Sequence, residues 1–255
     1  MEGAGRARKP HLPLHRAATG PTAARAIAAA ANRKGSQGPG SLLAASDGSS
    51  RLVMAGMPWS PSDVLSLQAP QAALSPGREA SDAGRRCALW ALRALGIQPA
   101  PIGRGAGGEP IWPIGIIGSI SHTPGYVCAL VARGLGAVGI DVERADRQLS
   151  PRAWGWVGGA CTLHEGGVRE QAAVFALKEA FFKLAYPSVR YRFGFDAVHV
   201  AIHGASVGCS LRVERDLSSA FPRGLILHGN YIYFSAFVLA WVCAPPQRGR
   251  EASGK

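Results

Sequence analysis

Apolar residues return at helical spacing in two stretches of this chain and alternate with polar residues in several others. The first helical stretch opens at Ser75-Pro76, an N-cap residue followed by proline at the first helical position. It runs to about Leu95, with Cys87, Trp90, Ala91, Ala94 and Leu95 on one face, and Gly96 is placed to stop it. Ser81-Asp82-Ala83-Gly84 weakens its interior. The second stretch, about 170–186, puts Val174, Leu177, Phe181, Leu184 and Ala185 on a buried face and is expected to end at Pro187. Strands are expected at 51–54, 126–132, 137–142, 197–202, 210–213 and 231–242, with Arg133-Gly134-Leu135-Gly136 joining the second and third as a hairpin. Residues 99–118 and 144–168 read as loops. This order predicts an α+β fold of two similar halves, each a long helix on a small antiparallel sheet. The expected organisation is a poorly ordered basic extension over 1–50, halves over 51–140 and 141–245, and a polar tail over 246–255.

Composition narrows the class. With 255 residues and 47% hydrophobic content, wholesale disorder is excluded and a substantial core can be buried. The longest nearly apolar run, 231–244, is 14 residues long and contains Ser235, too short for a bilayer. No charged-then-apolar leader opens the sequence, so a cytoplasmic protein without a membrane partner is expected. Five widely spaced cysteines without a C-x-x-C motif argue against a disulfide framework or structural zinc. The net charge is +12, and within 1–46 the single acid Glu2 faces seven basic residues. Such a segment attracts anions, whether nucleic acid, phosphorylated cofactor or acidic protein, and its composition also allows a transit peptide. No recognition-helix or aromatic RNA-binding pattern accompanies it, so a nucleic-acid-binding protein is the alternative and not the expectation.

Three constellations carry chemistry. In Gly139-Ile140-Asp141-Val142-Glu143, period-two alternation points Asp141 and Glu143 to one face, about 7 Å apart, and Ile140 and Val142 to the other. Two such carboxylates repel unless a cation lies between them, and hard oxygen donors select Mg²⁺, Mn²⁺ or Ca²⁺. Alone, such a pair more often marks a solvated strand end. In 175–184, Glu179 and Lys183 lie one helical turn apart beside Ala172 and Ala176, flanked by Phe175 and Phe182. An exposed i,i+4 pair would stabilise a helix slightly, but a helix apolar over most of its circumference is buried, and a buried Glu is costly unless it serves a site. In Gly118-Ser119-Ile120-Ser121-His122-Thr123, small hydroxyls around a histidine before Pro124-Gly125 can bind an anion, or the histidine is structural.

Taken in order, G-E-P-I-W-P with G-S-I-S-H-T (108–123), G-I-D-V-E (139–143) and K-E-A-F-F-K (178–183) followed by Tyr186-Pro187 resemble the motifs of the 4′-phosphopantetheinyl transferases, surfactin- and enterobactin-associated type. The likeness covers roughly 75–245. It implies a monomer of two pseudo-symmetric α+β halves with the site between them. It also implies transfer of 4′-phosphopantetheine from coenzyme A to a serine of an acyl or peptidyl carrier protein, with release of 3′,5′-ADP. Carriers of siderophore, polyketide, peptide or fatty-acid synthesis all fit.

By the same resemblance Asp141, Glu143 and Glu179 hold Mg²⁺ (or Mn²⁺), with Asp141 also beside the cofactor, and Glu179 is the base for the serine. Lys183 lies near the phosphates and Lys178 joins it in binding coenzyme A. Ser121 and His122 contact the nucleotide end, His122 at the 3′-phosphate, and Arg78 and Arg85 lie where this family keeps basic residues for that phosphate. Glu109 stands where some relatives carry lysine, and Ser81 and Asp82 interrupt a helix usually more apolar, so an inactive relative is a further alternative.

Overall fold

The computed structural model describes residues 41–46, 51–58, 76–98, 101–203 and 208–246. A short Ala-rich helix expected at 22–34, the Ser75 cap, the Arg78 side chain and most of the polar tail lie outside the described residues. The elements in chain order are β1 (Ser41–Ser46), β2 (Arg51–Pro58), α1 (Pro76–Ala94), β3 (Gly103–Arg104), β4 (Pro110–Ile111), β5 (Ile117–Thr123), β6 (Tyr126–Arg133) and β7 (Ala137–Arg144). There follow α2 (Pro151–Gly158), β8 (Cys161–Thr162), α3 (Val168–Val189), β9 (Val198–Ile202), β10 (Gly208–Val213), β11 (Ile226–Phe234) and β12 (Phe237–Ala244). The fold is α+β, as the pattern predicted.

Two sheets pack face to face, with one long helix outside each. The four-stranded sheet runs β1-β2-β6-β5 and the six-stranded sheet β7-β12-β11-β10-β9-β8, antiparallel except for the β8–β9 pair. Alternation along β6 explains the layering. Val127, Ala129 and Val131 face α1, whereas Cys128, Leu130 and Ala132 join Val138, Ile140, Val142, Leu239 and Trp241 in the core between the sheets. The opposite face of β12, through Val238, Ala240 and Val242, meets Val174, Leu177, Phe181 and Leu184 of α3.

Several expectations need correction. β6 and β7 are not a hairpin: β6 pairs with β5 and β2, and β7 pairs with β12. Alternation identifies a strand but not its partner, and residues 134–136 carry the chain from one sheet to the other. Strand pairing also begins earlier than residue 51, because β1 lies antiparallel to β2. The apolar run 231–242 is not one strand but parts of β11 and β12, folded back at Ser235, whose φ of 48° makes a two-residue turn without glycine. The loop read at 144–168 contains α2, capped by the Ser150 hydroxyl accepting from the Ala153 amide at 3.2 Å.

On α1 the buried face is Ala80, Ala83, Cys87, Ala88, Ala91, Leu92 and Leu95, while Trp90 is 42% exposed and Ala94 is exposed. The small alanines, not the large indole, set that helix's approach to the sheet. Gly96 does end it: Gly96 and Ile97 amides donate to the Arg93 and Leu92 carbonyls (3.0 and 2.9 Å). Pro187 does not end α3. The proline sits in the last turn, where the carbonyl it leaves unpaired is near the helix end, and closure falls to Arg190, whose amide donates to Tyr186 O (2.9 Å).

Candidate active site

The chemistry-bearing side chains gather where two edge strands, β5 and β7, run side by side beneath α3. Ser119 Oγ accepts from the Ile140 amide (3.2 Å), covering part of an edge that would otherwise be open. Along β7, Ile140 and Val142 point into the inter-sheet core, so Asp141 and Glu143 are turned to the opposite side, toward α3, as alternation required. Asp141 is only 4% exposed. Its Oδ1 accepts from Ser121 Oγ (2.6 Å) and from Lys183 Nζ (2.6 Å), and Lys183 also donates to Ser121 Oγ (2.8 Å). Three elements thus meet on one carboxylate oxygen. Its other oxygen, Oδ2, is buried without a protein partner.

The surrounding charges are coupled. Burial would lower the Lys183 pKa, but the charge of Asp141 and their hydrogen bond outweigh it and hold the ammonium above its ordinary value. Burial, then the negative charge of Asp141, pushes Glu179 up, opposed by Lys183, Arg147 and Arg192. The same two causes raise Glu143, whose Oε2 accepts from Arg147 Nη1 (2.7 Å). Arg147 in turn lies over the Phe175 ring at 4.3 Å. Asp141 therefore already has Lys183, and Glu143 has Arg147. Among the described residues no group of three or more His, Cys, Asp or Glu side chains is gathered closely enough to hold a metal ion, so the three carboxylates are not drawn into a ready-made cage. The donor chemistry nevertheless fits a hard divalent cation. One buried carboxylate oxygen is unpaired, two neighbouring carboxyls gain from any positive charge, and Mg²⁺ needs only one or two carboxylates when water and substrate phosphate complete its shell.

The remaining residues singled out in the sequence lie around this corner. Lys178 is 1% exposed and donates to the Phe195 carbonyl (2.9 Å), and burial lowers its pKa to about 8. With Glu179, Phe182, Arg192, Phe193 and Phe195 it lines a cavity of about 190 Å³. The segment expected to bind an anion through its hydroxyls and histidine is strand β5, so Ser121 and His122 point to opposite faces. Ser121 is buried against Asp141, and His122 is exposed on the side that carries Ile120 and α1, its pKa lowered by partial desolvation of the ring and by the charge of Lys183. Arg85 Nη1 donates to Ser81 Oγ (2.8 Å), and Arg104 Nη2 donates to the same oxygen (2.7 Å), so two guanidinium groups are held side by side. Arg104 and Arg147 were missed in the sequence. Neither belongs to a basic motif, and the only local signal is position: Arg104, in β3, precedes the G-E-P motif, and Arg147 lies four residues beyond Glu143.

A mixed α+β frame with a buried acid–hydroxyl–lysine cluster at a sheet junction defines a class that comparison with known proteins identifies. Residues 69–132 match the 4′-phosphopantetheinyl transferase N-terminal domain and residues 137–233 the 4′-phosphopantetheinyl transferase superfamily, together more than half of the chain. The chain belongs to the 4′-phosphopantetheinyl transferases. It is 34% identical over 141 residues to 4′-phosphopantetheinyl transferase PptT of Mycobacterium tuberculosis, covering 49% of this chain and 58% of the relative. To 4′-phosphopantetheinyl transferase Npt of Nocardia iowensis it is 32% identical over 126 residues, 46% of this chain and 55% of the relative. A shorter stretch of 62 residues is 42% identical to enterobactin synthase component D of Salmonella typhimurium, 24% of this chain and 25% of that protein. The matches thus span little more than half the length of the first two relatives. Among the described residues no helix is long and apolar enough to cross a membrane.

Proposed function

We propose that this protein transfers the 4′-phosphopantetheine group of coenzyme A to a serine of an acyl or peptidyl carrier protein, releasing 3′,5′-ADP. The observation that carries the reading is the Asp141–Ser121–Lys183 cluster with Glu179 one helical turn from Lys183, on a chain of this family. In this reading the two α+β halves, 51–140 and 141–245, are pseudo-symmetric.

The residues divide the work by their surroundings. Arg85 and Arg104, paired on Ser81, form a bidentate-capable grip for the 3′-phosphate, with His122 on the same side of the four-stranded sheet. The aromatic walls of the 190 Å³ cavity take the apolar part of the pantetheine arm and keep water from the reacting phosphorus. Lys178 fixes one wall by holding the Phe195 carbonyl. Ser121 orients Asp141 by donating to Oδ1, which leaves Oδ2 free to ligate a cation. Asp141, Glu143 and Glu179 would hold Mg²⁺ or Mn²⁺, which when bound neutralises charge on the diphosphate. Lys183, kept protonated by Asp141, supplies a positive charge to the phosphate oxygens as negative charge builds on them. Glu179, its proton affinity raised by burial, accepts the proton of the attacking serine.

Mixing the protein with coenzyme A, Mg²⁺ and an apo carrier should add about 340 Da to the carrier by this phosphoryl-type transfer. No gain across siderophore, polyketide, peptide and fatty-acid carriers would refute the reading.

A further inference from the structure

Residues 103–111 form a strap that touches both long helices. At one end Arg104 donates to Ser81 on α1 (2.7 Å), and at the other Arg190, at the C-cap of α3, donates to Glu109 Oε1 (3.1 Å). The β3–β4 ladder, pairing Gly103 with Ile111 and Arg104 with Pro110, makes the two ends one unit. The Gly105 amide donating to the Glu109 carbonyl (2.7 Å) closes it. Glu109 is built into the strap: its side chain is 26% exposed, and a Cβ at Gly105 would fall 2.5 Å from its carboxyl. A Cβ at Gly107 would meet both Glu109 Oε2 and the Tyr186 hydroxyl at 2.9 Å, so the strap lies close against the side chain of α3's Tyr186.

The stretch of α3 beneath the strap continues the active-site stripe. Glu179, Lys183, Tyr186 and Arg190 follow at intervals of four, three and four residues, one face of a helix. Arg190 itself adopts φ 61°, a left-handed conformation that non-glycine residues take at a cost. Glycine would fit that backbone better but could not reach Glu109.

We propose that Glu109 and Arg190 are positioning residues: their ion pair fastens the strap to α3 and thereby holds Arg104 beside Arg85, making the site selective for a nucleotide that carries a 3′-phosphate. The inference rests on the coenzyme A reading above and adds to it a device that no phosphate contact of Glu109 itself could supply, since a carboxylate repels phosphate. A half-exposed ion pair contributes little to global stability, so its loss should loosen the strap without unfolding the protein.

The test compares wild type, Glu109→Gln, Arg190→Gly and the charge-exchanged double variant Glu109→Arg with Arg190→Glu. Hydrogen exchange of the segment 101–113 is followed without ligand, and coenzyme A and 3′-dephospho-coenzyme A are titrated in parallel. The two single variants should exchange the Gly105 and Gly108 amides about fivefold faster and bind coenzyme A about fivefold more weakly, with 3′-dephospho-coenzyme A within about twofold of wild type. The double variant should recover part of both effects. Arg190→Gly should keep its thermal stability, because it relieves the left-handed backbone while breaking the clasp. Unchanged strap exchange in Glu109→Gln, or equal loss for both ligands, overturns the proposal. Failure of the wild-type protein to bind either ligand or modify a carrier overturns the parent reading instead, and the exchange data still decide whether the clasp exists.

Discussion

Where α3 crosses β7, backbone meets backbone: a Cβ at Gly139 would overlap the carbonyl oxygen of Ala180 and lie 2.8 Å from the Leu184 amide nitrogen. Where α1 crosses β5, the tight point is Gly84, whose Cβ would meet only the Ile120 Cγ2 side-chain atom, at 2.6 Å. The first interface cannot yield without moving a helix; the second can repack. Asp141, Glu179 and Lys183 hang from the unyielding interface, whereas Arg85, Arg104 and His122 surround the adaptable one. Groups that must meet a reacting phosphorus need fixed geometry, and small displacements there cost rate steeply. Groups that grip a flexible, highly charged ligand can be carried on a helix face and a loop. In the proposed transfer, the unyielding crossing carries the chemistry and the adaptable one carries the grip on coenzyme A.

The largest effect should come from deleting the chemistry while sparing the frame. Asp141→Ala and Glu179→Ala should each lower the transfer rate at least about 10³-fold, as loss of a charge-stabilising or proton-accepting group does, with circular dichroism unchanged. Full activity in both variants would remove the site assignment. Glu179→Gln should in addition stabilise the protein at pH 7. Its folded pKa lies above 4.5, so the native state binds more protons than the unfolded state in the window above that value, and stability falls as pH rises through it. Removing the charge relieves that cost, and a lower melting temperature for Glu179→Gln would contradict the sign.

Next in size is the packing contrast itself. Gly139→Ala should cost about 3 kcal/mol or more in denaturant unfolding, because backbone atoms must separate. Gly84→Ala should cost only about 1 kcal/mol, since alanine's helix preference offsets part of the crowding. Equal costs would dissolve the distinction between the two interfaces. Smaller still, Arg104→Ala and His122→Ala should weaken coenzyme A binding, the arginine about tenfold, with the turnover number of saturated enzyme retained. A fall in turnover with unchanged affinity would place these residues in the chemistry after all.

A last effect, on the pH dependence of stability alone, concerns Lys178. Its pKa is lowered to about 8 from 10.5 by burial, so between those values the unfolded chain binds more protons and stability rises with pH. Below about 8 the full cost of burying the ammonium is present. The stability of wild type relative to Lys178→Met should therefore improve as pH is raised from about 8 to 10.5, and a flat difference across that range would show an unperturbed lysine.

Local periodicity carried much of this organisation. The facing of Asp141 and Glu143 away from Ile140 and Val142 follows from alternation within five residues, and the buried stripe of α3 follows from its own spacing. What eluded the sequence depends on distant partners. Nothing in β6 says that it pairs with β5 and β2 and not with β7, and nothing in the run around Ser235 marks a turn in the absence of glycine or proline. Trp90 drew the phase of α1 toward itself by size, although small residues pack that helix. Ser121 and His122 read as one anion-binding group, yet strand geometry sends them to opposite faces. Arg104, Arg147 and Arg190 have meaning only through Ser81, Glu143 and Glu109, and only for Arg147 does that partner lie nearby in sequence.

The most direct test is the rate at which an apo carrier protein gains about 340 Da from coenzyme A and Mg²⁺, measured by intact mass for wild type and Glu179→Ala side by side. Steady conversion by wild type with none by the variant over the same time is the predicted result. Equal conversion by both, or conversion by neither across the carrier panel, would contradict it.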